Sequence, residues 1–238
     1  MSWQLIAALV HGVLAVTQIP LVVLSRLPII KWFISSFAQH FGRNPIGFFL
    51  RSCYWKANLK RLGQDTLFDQ GVDIWGADRI EIGHHNFLSV NARLSCGRGE
   101  RDLDSRIVMG DYAFVGPGAL LAGSGRMIIG DFVAIMADTH LYSSTNTAYL
   151  PSKPGQLASM SHSAPLDRQN TMRAPVEIGQ YAVIGASALI LPGVTLGTGT
   201  VVHPFTQVNG SFPAFARVAG PGPGKQIGWR WPDKMHPH

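Results

Sequence analysis

Ile178, Ile184, Ile190, Leu196, Val202 and Val208 follow one another at an unbroken step of six residues. That period is neither the 3.6 of an amphipathic helix nor the 2 of a half-buried strand. Four residues after each of the first five stand Ala182, Ala188, Val194, Thr200 and Thr206, all small or β-branched. Gly179, Gly185 and Gly197 directly follow an apolar position. The grid recurs upstream as Ile82, Leu88, Leu94, as Met109, Val115, Leu121, and as Ile129, Ile135, Leu141. Gly83, Gly110, Gly116 and Gly130 keep their places in it, as do Ala113, Ala119 and Val133. Phe68, Ile74 and Ile80 read as an imperfect first turn. One large apolar residue per step, with a small one four later, fills a narrow prism whose sides are short strands. Stacked coils give each strand a neighbour above and below, so backbone groups are paired along the stack. The pattern predicts an all-β solenoid, a parallel β-helix of hexapeptide repeats.

Two stretches interrupt the grid. Residues 97–106 are polar and glycine-containing, hence a surface loop. Residues 142–175 form a much longer loop, and long loops on a rigid scaffold often carry function. The only two cysteines, Cys53 and Cys96, provide neither a disulfide framework nor a CxxC metal pair, which fits a reducing compartment.

Charge is uneven. Residues 1–64 hold seven cations (Arg26, Lys31, Arg43, Arg51, Lys56, Lys60 and Arg61) and no Asp or Glu. The rest of the chain is close to neutral, so the basic character is local and nucleic acid is not an expected partner. Leu5–Leu24 and Leu27–Phe37 are apolar, and a segment with aromatic and basic faces follows, from Phe48 to Arg61. No charged n-region precedes the first run and no small-x-small site follows it, so a signal peptide is not expected. Three readings stay open for this N-terminal helical segment. It is a transmembrane helix weakened by Gln18 and Pro20, a pair of helices in the membrane interface, or a cap on the open end of the solenoid. An apolar run followed by cations without acids favours membrane association. The basic flank would then sit on the cytoplasmic face of the inner membrane. The expected division is 1–64 for this segment, 65–228 for the β-helix and 229–238 for a C-terminal tail.

Val176 through Gly197, with the Leu191-Pro192-Gly193-Val194 turn and the Val218-Ala219-Gly220-Pro221 tail, resembles the hexapeptide-repeat acyltransferases. Within them it is most similar to bacterial sugar and polysaccharide O-acetyltransferases of the galactoside and maltose type. The resemblance implies a left-handed β-helix, a hand that departs from the usual crossover rule. It also implies a homotrimer with sites between prisms, acetyl-CoA as acyl donor, and a glycan acceptor. A histidine would take the acceptor's proton while a backbone N–H stabilises the oxyanion.

By that resemblance, Gly185 and Ala186 match the position that supports the thioester. Thr206 matches the small residue of the next coil, and Gly220, Pro221 and Lys225 the tail near the nucleotide. The family often has Trp where Val183 stands and Lys where Gly210 stands, so Arg217 or Lys225 would supply the phosphate contacts. Ser89 and Asn91 fall where relatives contact the acceptor sugar. Counting by register, Asn146 holds the place of the usual catalytic histidine. The base is then His162, in the loop, or His140, beside the inward-facing Leu141. Asp138 or Asp167 would hold the ring's tautomer, and Asn146 would orient acceptor or imidazole.

Two other classes share this architecture. A γ-class carbonic anhydrase needs three histidines on a metal, including a His-x4-His pair, and the nine histidines contain no such pair. No metal site is expected. A non-catalytic scaffold would need neither the Pro-Gly-Val turn nor the Gly-Pro tail.

Overall fold

The computed structural model describes residues 16–97, 104–147, 157–161, 163–220 and 224–229 of the chain. The hexapeptide grid becomes a three-faced prism. Face I stacks Arg61–Leu62, Ile80–Ile82, Arg106–Met109, Arg126–Ile129, Val176–Ile178 and Thr195–Leu196. Face II stacks Leu67–Phe68, Phe87–Leu88, Phe114–Val115, Ala134–Ile135, Val183–Ile184, Val201–Val202 and Ala216–Ala219, and Lys225–Trp229 closes it antiparallel. Face III stacks Asp73–Trp75, Arg93–Ser95, Leu120–Ala122, His140–Tyr142, Leu189–Ile190 and Gln207–Val208. Every other pairing within these faces is parallel, as expected when one coil lies on the next.

The register is kept across the long loop. Ile129 pairs with Ile178, Ile135 with Ile184 and Leu141 with Ile190. All six are buried and belong to one continuous core. The first turn differs from the expected phase. It takes Leu62, Phe68 and Ile74, and a short 3-10 turn, Ala77–Arg79, then inserts two residues before Ile82. Ile80 falls in that slip and pairs with Ile107.

The face I to face II corner requires left-handed backbone. His85, Tyr112, Phe132 and Tyr181 adopt it, with φ between 55° and 59°. Such a conformation costs an L residue roughly 1–2 kcal/mol. The rings recover part of that by stacking at 4.7, 4.9 and 4.8 Å between centroids, each pair contributing about 0.5–1.5 kcal/mol.

At one end, α2 (Pro28–His40) and α3 (Pro45–Asn58) cover the first coil, preceded by α1, helical over residues 16–24. Asn44 caps α3 through Gly47 N–H at 2.9 Å, and Pro45 opens it. Tyr54, Trp55 and Leu59 extend the prism's core. The first coil has no coil beneath it, so its downward carbonyls need other donors. Arg51 Nε donates to Phe68 O and Nη1 to Phe41 O, both at 2.7 Å. Ser52 Oγ donates to Thr66 O, and Gly71 N–H to Gln39 O. The cations of this segment are therefore largely structural. Arg43 makes a two-point pair with buried Asp69, while Lys60 and Arg61 face Glu81. Capping of the solenoid is thus an observed role of α3, whatever else the segment does.

Cys53 and Cys96 are buried, and burial pushes both thiols up to about 11. At pH 8 only about one thiol in a thousand is ionised at such a value. Neither cysteine should react with a disulfide reagent in the native protein, and both should react in guanidinium. Rapid labelling of Cys53 would show that α3 is not packed on the coil.

Candidate active site

The corner between faces II and III is built by a chain of backbone bonds that climbs the prism. Asn91 N–H donates to Gln70 O, Gly118 to Val90 O, Asp138 to Pro117 O, Ser187 to Ala137 O and Phe205 to Ala186 O. Residues far apart in sequence thereby fall on one edge. Ser89 and Asn91 lie low on it, Gly185 and Ala186 high, with Thr206 one coil above. Coils repeat every ~4.8 Å, so three coils separate Asn91 from Ala186 by about 14 Å.

Within the Gly185–Ala186 pair the two amides differ. Gly185 N–H is committed to Val202 O at 2.8 Å. Ala186 N–H meets no acceptor among the described residues. It is the donor of this pair that remains open to a developing oxyanion. Ala137, one coil lower, has the same open N–H, so the corner itself produces it. Gly185 is glycine for packing: a Cβ there would meet Pro204 N at 2.4 Å. Thr206 and Ser89 are buried, so either can offer a ligand little beyond backbone. Asn91 adopts φ 57° and sets its side-chain oxygen over Gly71.

Arg217 is exposed on the last strand of face II, and its Nη2 lies 3.3 Å from His203 Nε2. Lys225 pairs with Ala219 on the closing strand and is also exposed. Gly220 follows at φ 142°. These residues form a cationic end to face II. Pro221 lies outside the described residues, as does the tail beyond Trp229.

His140 stands on the outer side of face III, half-buried between Leu120 and Leu189, with Tyr142 edge-on at 6.0 Å. It shares no hydrogen bond with Asp138 among the described residues. Face III ends at Ser143, whose Oγ accepts from Gly125 N–H, and there the long loop leaves the prism. The loop begins as an antiparallel hairpin, Ser144–Asn146 against Thr171–Arg173. Asn146 is engaged at both ends of its amide. Nδ2 donates to Met160 O at 3.2 Å, and Oδ1 accepts from Thr171 Oγ1 at 3.0 Å. In this position it clasps the loop rather than presenting a free group. His162 lies outside the described residues. Asp167 sits in a 3-10 turn whose Arg168 carbonyl accepts from Ser159 N–H. Among the described residues no group of three His, Cys, Asp or Glu could hold a metal ion.

The residue before each inward position points outward, and it distinguishes the three faces. On face I charged and apolar residues alternate in blocks, Arg61, Glu81 and Glu177 with Val108 and Ile128 between them. On face II they are Leu67, Phe87, Phe114, Ala134, Val183 and Val201, apolar until Arg217. Such a continuous apolar row on a single face marks an interaction surface. Grouping the repeat by face, rather than reading only its inward positions, would have revealed it.

No family model matches the chain, and no curated protein matches it in sequence. Solved structures do. An N-acyltransferase from Bacillus cereus, AntD, crystallised with dTDP and 3-hydroxybutyryl-CoA, is 20% identical over 75% of this chain and 87% of its own, with a TM-score of 0.64. A hexapeptide-repeat acetyltransferase from Vibrio cholerae is 18% identical, covering 84% of this chain and 87% of its own, with a TM-score of 0.53. Galactoside acetyltransferase in complex with coenzyme A is 17% identical, covering 83% of this chain and 77% of its own, also at 0.53. The fold is the left-handed parallel β-helix of hexapeptide-repeat acyltransferases. In that fold the loop at 142–175 is an excursion between the fourth and fifth coils.

Proposed function

We propose that the chain is a CoA-dependent acyltransferase that moves an acetyl group to a hydroxyl of a sugar, in surface polysaccharide or a lipid-linked precursor. The observation that carries this reading is the II–III edge. Along it the open Ala186 N–H lies below the cationic cluster of Arg217 and Lys225, by two coils or ~10 Å of rise. Beside the same edge, face III holds His140, and the loop carrying His162 leaves that face. The thioester lies near Ala186 and the CoA phosphates near Arg217 and Lys225. A neutral histidine takes the acceptor's proton as its oxygen attacks the carbonyl, and the tetrahedral oxyanion is held by the Ala186 amide. The thiolate of CoA then leaves and is protonated, with no covalent enzyme intermediate. CoA at a hundred times its Kd should stabilise the protein by about 2.7 kcal/mol, and Arg217→Ala should weaken that gain. Stabilisation by zinc instead of CoA would favour a metalloenzyme.

A second reading is transfer to a sugar amine. The AntD structures support it, since one holds dTDP-4-amino-4,6-dideoxyglucose together with coenzyme A. The two readings differ only in the nucleophile, and a panel of hydroxyl and amino sugars separates them.

We also propose that copies assemble as a trimer through the apolar row of face II, which would place the neighbouring II–III edge between prisms. Phe114→Glu combined with Val183→Glu should convert the trimer to monomer in sedimentation experiments. A wild-type chain that already sediments as a monomer would remove the shared site.

A further inference from the structure

Helix α2 is apolar on both sides. Ile34 packs against the core, while Phe33 and Phe37 point outward and are 64% and 58% exposed. A helix that only capped the prism would carry polar residues there. On α1, Ile19 and Val23 lie one turn apart and are 64% and 55% exposed. Leu27 and Ile46, at the ends of the neighbouring turns, are exposed as well. Lys56 Nζ donates to Gln18 Oε1 at 3.2 Å, tying α3 to α1.

The charge of the helical segment itself has one sign. No Asp or Glu occurs before Asp65. Asp69 and Glu81 are the acids paired to the cap, and they are taken up by Arg43, Lys60 and Arg61. Arg26, next to Leu27 in the chain, and Lys56, tied to α1, remain exposed. A second copy docking cap to cap would bring like charges together. An anionic lipid surface meets both the charge and the apolar stripe. Among the described residues no helix is long and apolar enough to cross a membrane.

We propose that the outer side of α1 and α2 is a docking surface for an anionic bilayer. Both helices lie in the headgroup layer, with Phe33 and Phe37 inserted and Arg26 and Lys56 against the phosphates. The prism then stands on the membrane by its capped end. This inference does not depend on the acyltransferase reading.

Flotation of the full-length protein with vesicles tests it, comparing phosphatidylcholine alone with phosphatidylcholine containing phosphatidylglycerol. The protein should float with the anionic vesicles, about tenfold or more above the neutral ones, and less in high salt. Phe33→Glu combined with Phe37→Glu should abolish flotation with an unchanged melting midpoint. If that variant fails to fold, Phe33→Ser with Phe37→Ser should lower flotation in the same direction. Absent flotation, equal recovery with neutral vesicles, or wild-type flotation of a folded variant would overturn the proposal. So would self-association that these substitutions abolish, because a second copy would then cover the face.

Discussion

Arg51→Ala should lower the stability of the protein by about 3–5 kcal/mol, since two carbonyls lose the charged donor that holds the cap to the prism. The side chain is buried, and it bridges the helical cap to the first coil through Phe41 O and Phe68 O. Burial pulls its guanidinium below the ordinary value, with Asp69 working against that. Without it, the Phe68 carbonyl of the first coil and the Phe41 carbonyl of the cap each lose a charged donor, and each such bond contributes roughly 1.5–3 kcal/mol. Gly47 shows how tightly the site is built, since a Cβ there would meet Gly42 O at 2.1 Å. Thermal unfolding should report a midpoint about 10 °C lower. Arg51→Lys should recover only part of the loss, because one ammonium cannot reproduce the planar fork. An unchanged midpoint in Arg51→Ala would show that the cap is not fastened by this residue.

His162→Ala should reduce acyl transfer by about 10²–10⁴, the usual contribution of a positioned general base, while CoA binding persists. His140→Ala should retain near-normal turnover. The reverse outcome assigns the base to His140, which Tyr142, Leu120 and Leu189 hold on face III. Asn146→Ala should weaken transfer through the loop, since it releases both Met160 O and Thr171 Oγ1. Its signature is a rise in KM as well as a fall in kcat, because a loosened loop misplaces the acceptor as well as the base.

The solenoid was legible in the chain because a six-residue period has few physical explanations. The pairing across 142–175 was not legible, since Leu141 and Ile178 do not share one six-residue phase; the structure sets Ile129 on Ile178 and Leu141 on Ile190. The slip at Ile80 was not legible. A 3-10 turn of Ala77–Arg79 inserts two residues without changing the apolar pattern, so the wrong isoleucine fits the grid equally well. The fastening of the cap was not legible for a different reason. Arg51 and Ser52 recognise backbone carbonyls, and a carbonyl leaves no trace in sequence, so nothing in the chain singles out these two residues from the rest of the basic segment. At the site, the grid placed Ala186 and Gly185 on one corner but could not say which amide the next coil consumes. The same grid had already set Thr206 in the small position that fills the prism, and there it is buried.

Release of the CoA thiol from acetyl-CoA, measured against a panel of hydroxyl and amino sugars, sugar nucleotides and lipid-linked glycans, tests the central claim most directly. The account predicts release that depends on a sugar acceptor, with the acetyl group recovered on an acceptor hydroxyl. Bound CoA with no acceptor-dependent release across the panel would contradict it and leave the β-helix as a scaffold.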